Sequence, residues 1–113
     1  MDKTSLTELA HQQLALARAA SSGRSAHTVN GGHEHSLRQT VIALNAGRQL
    51  DEHERNGEAT VQVLEGQVRL VAGTDSWDGA PGDLIVVPDR RHHLEAVVDS
   101  AVLLTVAVDA HGG

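Results

Sequence analysis

The chain has 113 residues, of which 40% are hydrophobic and 21% charged, and its formal net charge is −6. This length favours one domain, and the acidic balance offers no basic surface, so we expect neither a nucleic-acid nor a membrane partner. One Trp and the absence of Phe, Tyr and Cys argue against base-stacking platforms, disulfides, thiol catalysis and cysteine-based metal sites.

The N-terminal segment predicts one helix over residues 5–20. Ser5, with Glu8 three residues later, matches a capping box. The residues that fall close to one helical face are Leu6, Leu9, Leu16, Ala17 and Ala20. We expect this face to pack on the following domain or on a partner subunit. The segment has no unbroken apolar run, which predicts no signal peptide and favours a cytoplasmic protein.

The segment after the helix reads SSGRSAHTVNGG, residues 21–32, and its Ser and Gly content predicts a linker or an irregular arm. We therefore divide the chain into an N-terminal helix and arm over residues 1–36 and a strand domain over residues 37–110.

The strand domain consists of short apolar and β-branched runs separated by turn residues. These runs include QTVIAL, ATVQVLEGQVRLV, GDLIVVP and VLLTVAV. Alternation on either side of Gly66 predicts a hairpin with a tight turn at Glu65–Gly66. Many short strands without an intervening helical pattern indicate an all-β sandwich or closed barrel.

Two segments of the strand domain resemble the two motifs of the cupin family. In the first, Gly47 is followed after five residues by His53, and the segment closes with VLEG on Gly66. In the second, Gly82 is followed after five residues by Pro88 and then by a histidine. The resemblance implies a double-stranded β-helix, or jelly roll, that is often dimeric and has a ligand pocket inside the barrel.

The resemblance also implies a divalent metal held by three histidines and one glutamate, and the chain departs from that set. His53 and His93 fall on the first and last histidine positions, whereas Arg55 replaces the second. The glutamate position falls on Ala59, and Glu58 lies one residue earlier, on the opposite face unless a bulge turns it inward. The candidate metal site is therefore His53, His93 and Glu58, with Fe, Mn, Ni or Zn as the candidate ion.

Other residues offer alternatives to this reduced site. His92 should face away from His93 because neighbouring strand residues alternate. His33 and His35 have the i, i+2 spacing of a ligand pair and could reach across the barrel mouth. Arg55 suits a carboxylate or phosphate ligand, but the nearby run of acids, Asp51, Glu52 and Glu54, favours a salt bridge at the rim instead.

Three functions stay open. The first is a protein that binds a small molecule in the barrel, with or without a divalent metal. The second is a metal-dependent dioxygenase or isomerase that acts on a small polar metabolite. The third is a non-catalytic regulatory or structural homodimer whose interface is the N-terminal helix and arm. No glycine-rich phosphate loop or Ser-His-Asp order stands out, so no organic cofactor is expected.

Overall fold

The computed structural model describes residues 3–32, 34–52 and 57–108, and these contain one helix and nine strands. The helix α1 spans Leu6–Ala19. The strands are β1 (Arg24–Asn30), β2 (Leu37–Leu44), β3 (Gln49–Glu52), β4 (Gly57–Glu65), β5 (Val68–Ala72), β6 (Asp75–Gly79), β7 (Leu84–Val86), β8 (His92–Ala96) and β9 (Ser100–Val108). Within these ranges, no helix has the length and apolar character needed to cross a membrane.

The strands form two antiparallel sheets. The five-stranded sheet has the order β1-β2-β9-β4-β7, and the four-stranded sheet has the order β3-β8-β5-β6. Alternate residues of both sheets face one shared interior, because side chains point to opposite faces of a strand in turn. The buried residues of this interior are Ile42, Leu44, Val61, Val63, Val68, Leu70, Ile85, Leu94, Ala96 and Val102. The predicted all-β jelly roll is confirmed.

Strand β2 is buried on both faces at its C-terminal end, where four consecutive residues are buried. Ile42 and Leu44 belong to the barrel interior, whereas Val41 and Ala43 pack against α1. The helix therefore covers the outer face of the five-stranded sheet. Of the two alternatives that the sequence left open for α1, the structure shows packing on its own barrel.

The buried face of α1 differs in part from the predicted one. Its buried residues are Leu9, Ala10, Gln13, Leu14 and Ala17. Leu16 is 56% exposed, so the prediction for this residue was wrong. The stripe that meets the sheet follows the i, i+4 spacing from Leu9 and Ala10, and Leu16 lies outside it. The cap is as predicted, since the Glu8 backbone N–H donates to Ser5 Oγ at 3.3 Å.

Residues 24–30, predicted as part of an irregular arm, form the edge strand β1. The strand pairs with β2 from Arg24 opposite Leu44 to Thr28 opposite Thr40, and a register shift follows. Most of its side chains are exposed or half-buried. An edge strand of this kind has no apolar alternation to reveal it, and for this reason the pattern indicated an arm.

The predicted hairpin at Glu65–Gly66 was wrong. Strand β4 lies in the five-stranded sheet and β5 in the four-stranded sheet, so the turn carries the chain from one sheet to the other. The neighbouring two-residue hairpin joins β5 to β6 through Gly73–Thr74, since Ala72 pairs with Asp75. Alternation within each strand was read correctly, but it does not state which strand is the partner.

The turn at Gly66, where the chain passes from one sheet to the other, packs closely against the loop that leads into β9. Gly66 has a φ of 90°, and a Cβ at this position would overlap Ser100 Oγ and lie 2.5 Å from the Asp99 carbonyl oxygen. Ser100 is buried, and its Oγ accepts a hydrogen bond of 2.9 Å from the Gln67 backbone N–H. Only glycine suits both the backbone conformation and the close approach.

Asp99 joins three parts of the fold. Its Oδ1 accepts a hydrogen bond of 2.8 Å from the Ala46 backbone N–H in the β2–β3 turn, and its Oδ2 accepts one of 3.0 Å from Arg18 Nε on α1. The Ala46 N–H, followed by Arg18, holds the pKa of the Asp99 carboxyl below its ordinary value of 3.8. Because the folded state lowers this pKa, ionised Asp99 contributes stability above pH 3.8 that is lost as the pH falls through the folded-state pKa.

We expect Gly66→Ala to lower the free energy of unfolding by more than the roughly 1–2 kcal/mol of a left-handed non-glycine residue, because the new Cβ also overlaps Ser100. Gly47→Ala is the matched control, since Gly47 has a φ of 85° and no atom lies within 4 Å of the position that its Cβ would occupy. Urea unfolding of the two variants measures the difference. Equal losses would show that the Gly66 contact is unimportant.

We expect the difference in unfolding free energy between the wild type and Asp99→Asn to shrink as the pH falls from about 6 to about 2. Arg18→Gln should retain most of the wild-type pH dependence, since the Ala46 N–H is the larger cause of the lowered pKa. Urea unfolding across this pH range provides the measurement. A difference that is independent of pH would contradict the role assigned to the Asp99 carboxylate.

Candidate functional site

A small cavity lies in the barrel interior between the two sheets. Its volume is ≈ 20 Å³, which is room for about one water molecule. Aliphatic side chains from both sheets line it, among them Ile42, Val61 and Val102 on one side and Leu50, Leu70 and Leu94 on the other. Among the described residues that line it, His92 carries the one polar side chain.

His92 points into this cavity from β8. It is 8% exposed, and the residues that alternate with it along the strand, Leu94 and Ala96, are also buried in the core. His92 Nδ1 lies 2.8 Å from the Arg90 carbonyl oxygen. A carbonyl oxygen only accepts, so Nδ1 carries the hydrogen and, in the neutral ring, Nε2 has a free lone pair.

The predicted orientations of the two adjacent histidines are therefore reversed. Motif spacing placed His93 in the pocket and turned His92 away from it. Leu94 and Ala96 fix the face of β8, because a slip by one residue would move both from the core to the outside. The apolar positions two and four residues after His92 carried this information in the sequence.

His93 lies on the outer face of the four-stranded sheet. Its Nε2 is 2.8 Å from Glu95 Oε1, and both side chains are about one-third exposed, at 29% and 33%. Asp51 is its direct neighbour on β3. The structure does not bring His93 to the cavity, and its assignment as a metal ligand gains no support from this position.

Glu58 is exposed and Ala59 is buried, so alternation along β4 turns Ala59 inward. The pairing of β4 with β9 is regular around Glu58, which lies opposite Ala107. A bulge that could turn Glu58 inward is absent from this part of β4, since the register shift there falls between Val63 and Glu65. Glu58 therefore faces away from the cavity that His92 lines.

An open groove of ≈ 550 Å³ lies on the outside of the barrel, along β4 and the end of β7. Its lining includes Glu58, Thr60 and Val86, whose side chains alternate along their strands with inward residues such as Ala59. The groove and the cavity share Ala59 and Val87, whose backbones are joined by a hydrogen bond of 3.0 Å from the Val87 N–H to the Ala59 carbonyl. This backbone lies between the two spaces, so Glu58 belongs to the groove and not to the cavity.

Three of the candidate residues, His33, His53 and Arg55, lie outside the described residues, and their roles stay predictions. His35 is exposed between β1 and β2 and is not part of the cavity lining. The sequence prediction that His33 and His35 reach across the barrel mouth therefore stays untested.

The described part of the cavity does not fit the metal set that the cupin resemblance implies. It supplies one imidazole, from His92, and Ala59 stands at the glutamate position. Within residues 3–32, 34–52 and 57–108 there is no group of three or more His, Asp or Glu placed to hold an ion. A catalytic metal site normally has three protein ligands, so one imidazole is a weak basis for such a site.

Solved structures with a similar fold include proteins of different kinds. An RmlC-like cupin protein from Desulfovibrio desulfuricans is 25% identical, with a TM-score of 0.70 over 95% of this chain and 96% of that one. A transcriptional regulator from Vibrio cholerae is 20% identical, with a TM-score of 0.68 over 76% of this chain and 51% of that one. Salicylate 1,2-dioxygenase from Pseudoaminobacter salicylatoxidans is 22% identical, with a TM-score of 0.69 over 88% of this chain and 32% of that one.

No family model matches the sequence, and no curated protein matches it either. The likenesses to the regulator and the dioxygenase show the fold alone, and a fold that occurs in both does not determine function. The jelly-roll topology and the similarity to cupin structures agree with the resemblance noted in the sequence. The chain therefore has the jelly-roll fold of a small cupin domain.

Proposed function

We propose that the protein binds a small, mainly apolar molecule at the end of the barrel, without help from a metal ion. The observation that carries this proposal is the buried, oriented His92 in a cavity whose other described lining is apolar. Apolar walls with one or two fixed polar groups are the usual form of a small-molecule site.

The size of the cavity limits the part of a ligand that can contact His92. A cavity of ≈ 20 Å³ accepts only a small end group. In this proposal the end group meets His92, and the atoms next to it contact the aliphatic lining, which includes Ala59 and Val87.

Hydration of the cavity favours ligand entry. A buried water is usually held by about 2–4 hydrogen bonds, and among the described residues only His92 offers it a side-chain partner. Such a water is poorly held, and a ligand that replaces it with an apolar or singly polar end group gains affinity.

Binding without a metal is favoured over metal-dependent oxygenation or isomerisation by the donors in the cavity. The described lining contains one imidazole and no carboxylate. The structural likeness to a dioxygenase, at 22% identity, adds no ligand to that set.

We expect stoichiometric Fe²⁺, Mn²⁺, Ni²⁺ or Zn²⁺ to leave the melting temperature of the purified protein unchanged. An ion that binds the native state must raise this temperature. Differential scanning calorimetry, together with elemental analysis of the purified protein, tests the expectation. One equivalent of bound metal and a rise in Tm that His92→Phe abolishes would instead establish a metal site.

We expect Ala59→Leu to block ligand binding, because the larger side chain fills the cavity that Ala59 lines. Gln62→Leu is the matched control, since it introduces the same side chain on β4 at a position that lines neither space. In a thermal-shift screen of apolar fragments, compounds that raise the Tm of the wild type and of Gln62→Leu should not raise that of Ala59→Leu. Equal shifts in all three proteins would place binding elsewhere and overturn the proposal.

A further inference from the structure

We propose that the ligand carries an uncharged hydroxyl group, an alcohol or a phenol, that enters the cavity and donates a hydrogen bond to Nε2 of His92. This chemical class rests on the proposed binding function and makes it more specific. It follows from the tautomer of His92, the size of the cavity and the negative charge of the protein.

The tautomer of His92 determines whether the ligand donates or accepts the hydrogen bond at Nε2. The Arg90 carbonyl oxygen, 2.8 Å away, requires a hydrogen on Nδ1 in every protonation state of the ring. A neutral ring then has its lone pair on Nε2, and this nitrogen accepts a hydrogen bond but cannot donate one. A ligand group that meets Nε2 must therefore supply the hydrogen.

A ligand that only accepts hydrogen bonds would need a different ring. A ketone, an ether or a carboxylate could bond to Nε2 only if that nitrogen also carried a hydrogen, and the ring would then be a buried imidazolium. A buried charge is costly unless an opposite charge pairs with it. Among the described residues no carboxylate lines the cavity to compensate that charge, and Glu95 bonds to His93 on the outer face.

The charge of the protein disfavours anions as well. The chain has a formal net charge of −6, and Glu58 and Asp89 lie on the surface beside Ala59 and Val87. Like charges repel an approaching carboxylate or phosphate. These charges disfavour the anionic ligand that Arg55 suggested in the sequence, and an anionic probe decides between the two ligand classes.

The volume of the cavity selects among the possible donors. A space of ≈ 20 Å³ holds about one non-hydrogen atom with its hydrogens. A hydroxyl is the smallest neutral donor, an amide is larger, and an alkyl amine would enter as a buried cation. The remaining carbon atoms of the ligand then contact Ala59 and Val87, which line the cavity.

Three probes of similar length test the proposal: 1-pentanol, its isomer 1-methoxybutane and the anion pentanoate. The alcohol and the ether have the same atoms, but only the alcohol has a hydroxyl hydrogen. Titration of the ¹⁵N-labelled protein is followed by NMR at the His92 imidazole nitrogens and at the methyl groups of Val61 and Leu94. We expect 1-pentanol to shift the Nε2 signal and to bind about fivefold more tightly than the ether, the factor that corresponds to one net hydrogen bond.

His92→Phe and His93→Phe form a matched pair of variants. Each replaces an imidazole by an apolar ring, but His92 lines the cavity and His93 lies on the outer face. The preference for 1-pentanol over 1-methoxybutane should disappear in His92→Phe and persist in His93→Phe. The ¹⁵N spectrum of the wild type, which reports whether Nδ1 carries the hydrogen and Nε2 the lone pair, tests the same point if His92→Phe does not fold.

The possible results separate the ligand class from the binding function. If the ether or pentanoate binds as tightly as the alcohol, or if Nε2 carries the hydrogen in the free protein, the hydroxyl proposal is overturned while binding in the barrel stands. If none of the three probes perturbs the methyl groups of the cavity at millimolar concentration, the proposed function fails together with it.

Discussion

The two-residue alternation of β4, β8 and β9 is the constraint on which the rest of this structure depends. Val61 on β4 lies opposite Leu104 on β9, and both line the cavity, so a shift by one residue would turn the core outward along the whole strand. The outer face of the same sheet is buried as well, because α1 covers it. Burial on both faces fixes the register, and the register in turn decides which polar side chains can reach the cavity.

Features that depend on residues close together in the sequence could be predicted. Features that depend on which strands pair with each other could not. The Ser5 cap and the apolar strands around Ile42 and Val61 are recorded in neighbouring residues, and so the helix and the jelly roll were correctly predicted. The edge strand that begins at Arg24 has few buried side chains and therefore leaves no periodic signal. The turn at Gly66 looks like a hairpin in sequence because nothing local distinguishes a return within one sheet from a crossing to the other.

The candidate site shows the same division. Counting from Pro88 predicted that His93 faces the cavity, whereas the alternation of Leu94 and Ala96 with the preceding residue places His92 there. A motif can still be recognised when the turn before a strand is one residue longer or shorter. The same difference turns every side chain of that strand to the opposite face, so it changes which side chains are buried. Where motif spacing and apolar alternation disagree, the alternation is the better predictor because it is tied to the free energy of burying the core.

Ala59 stands at the position where the cupin motif has a glutamate, and this limits what the interior of the barrel can hold. A carboxylate facing His92 would stabilise an imidazolium or a metal ion, whereas the methyl group of Ala59 cannot. The Arg90 carbonyl orients the ring and determines which nitrogen is the acceptor when the ring is neutral. The same Nδ1 contact would also orient a metal-binding histidine, so the donors around the ring, and not its orientation, distinguish a hydrogen-bonding site from a metal site.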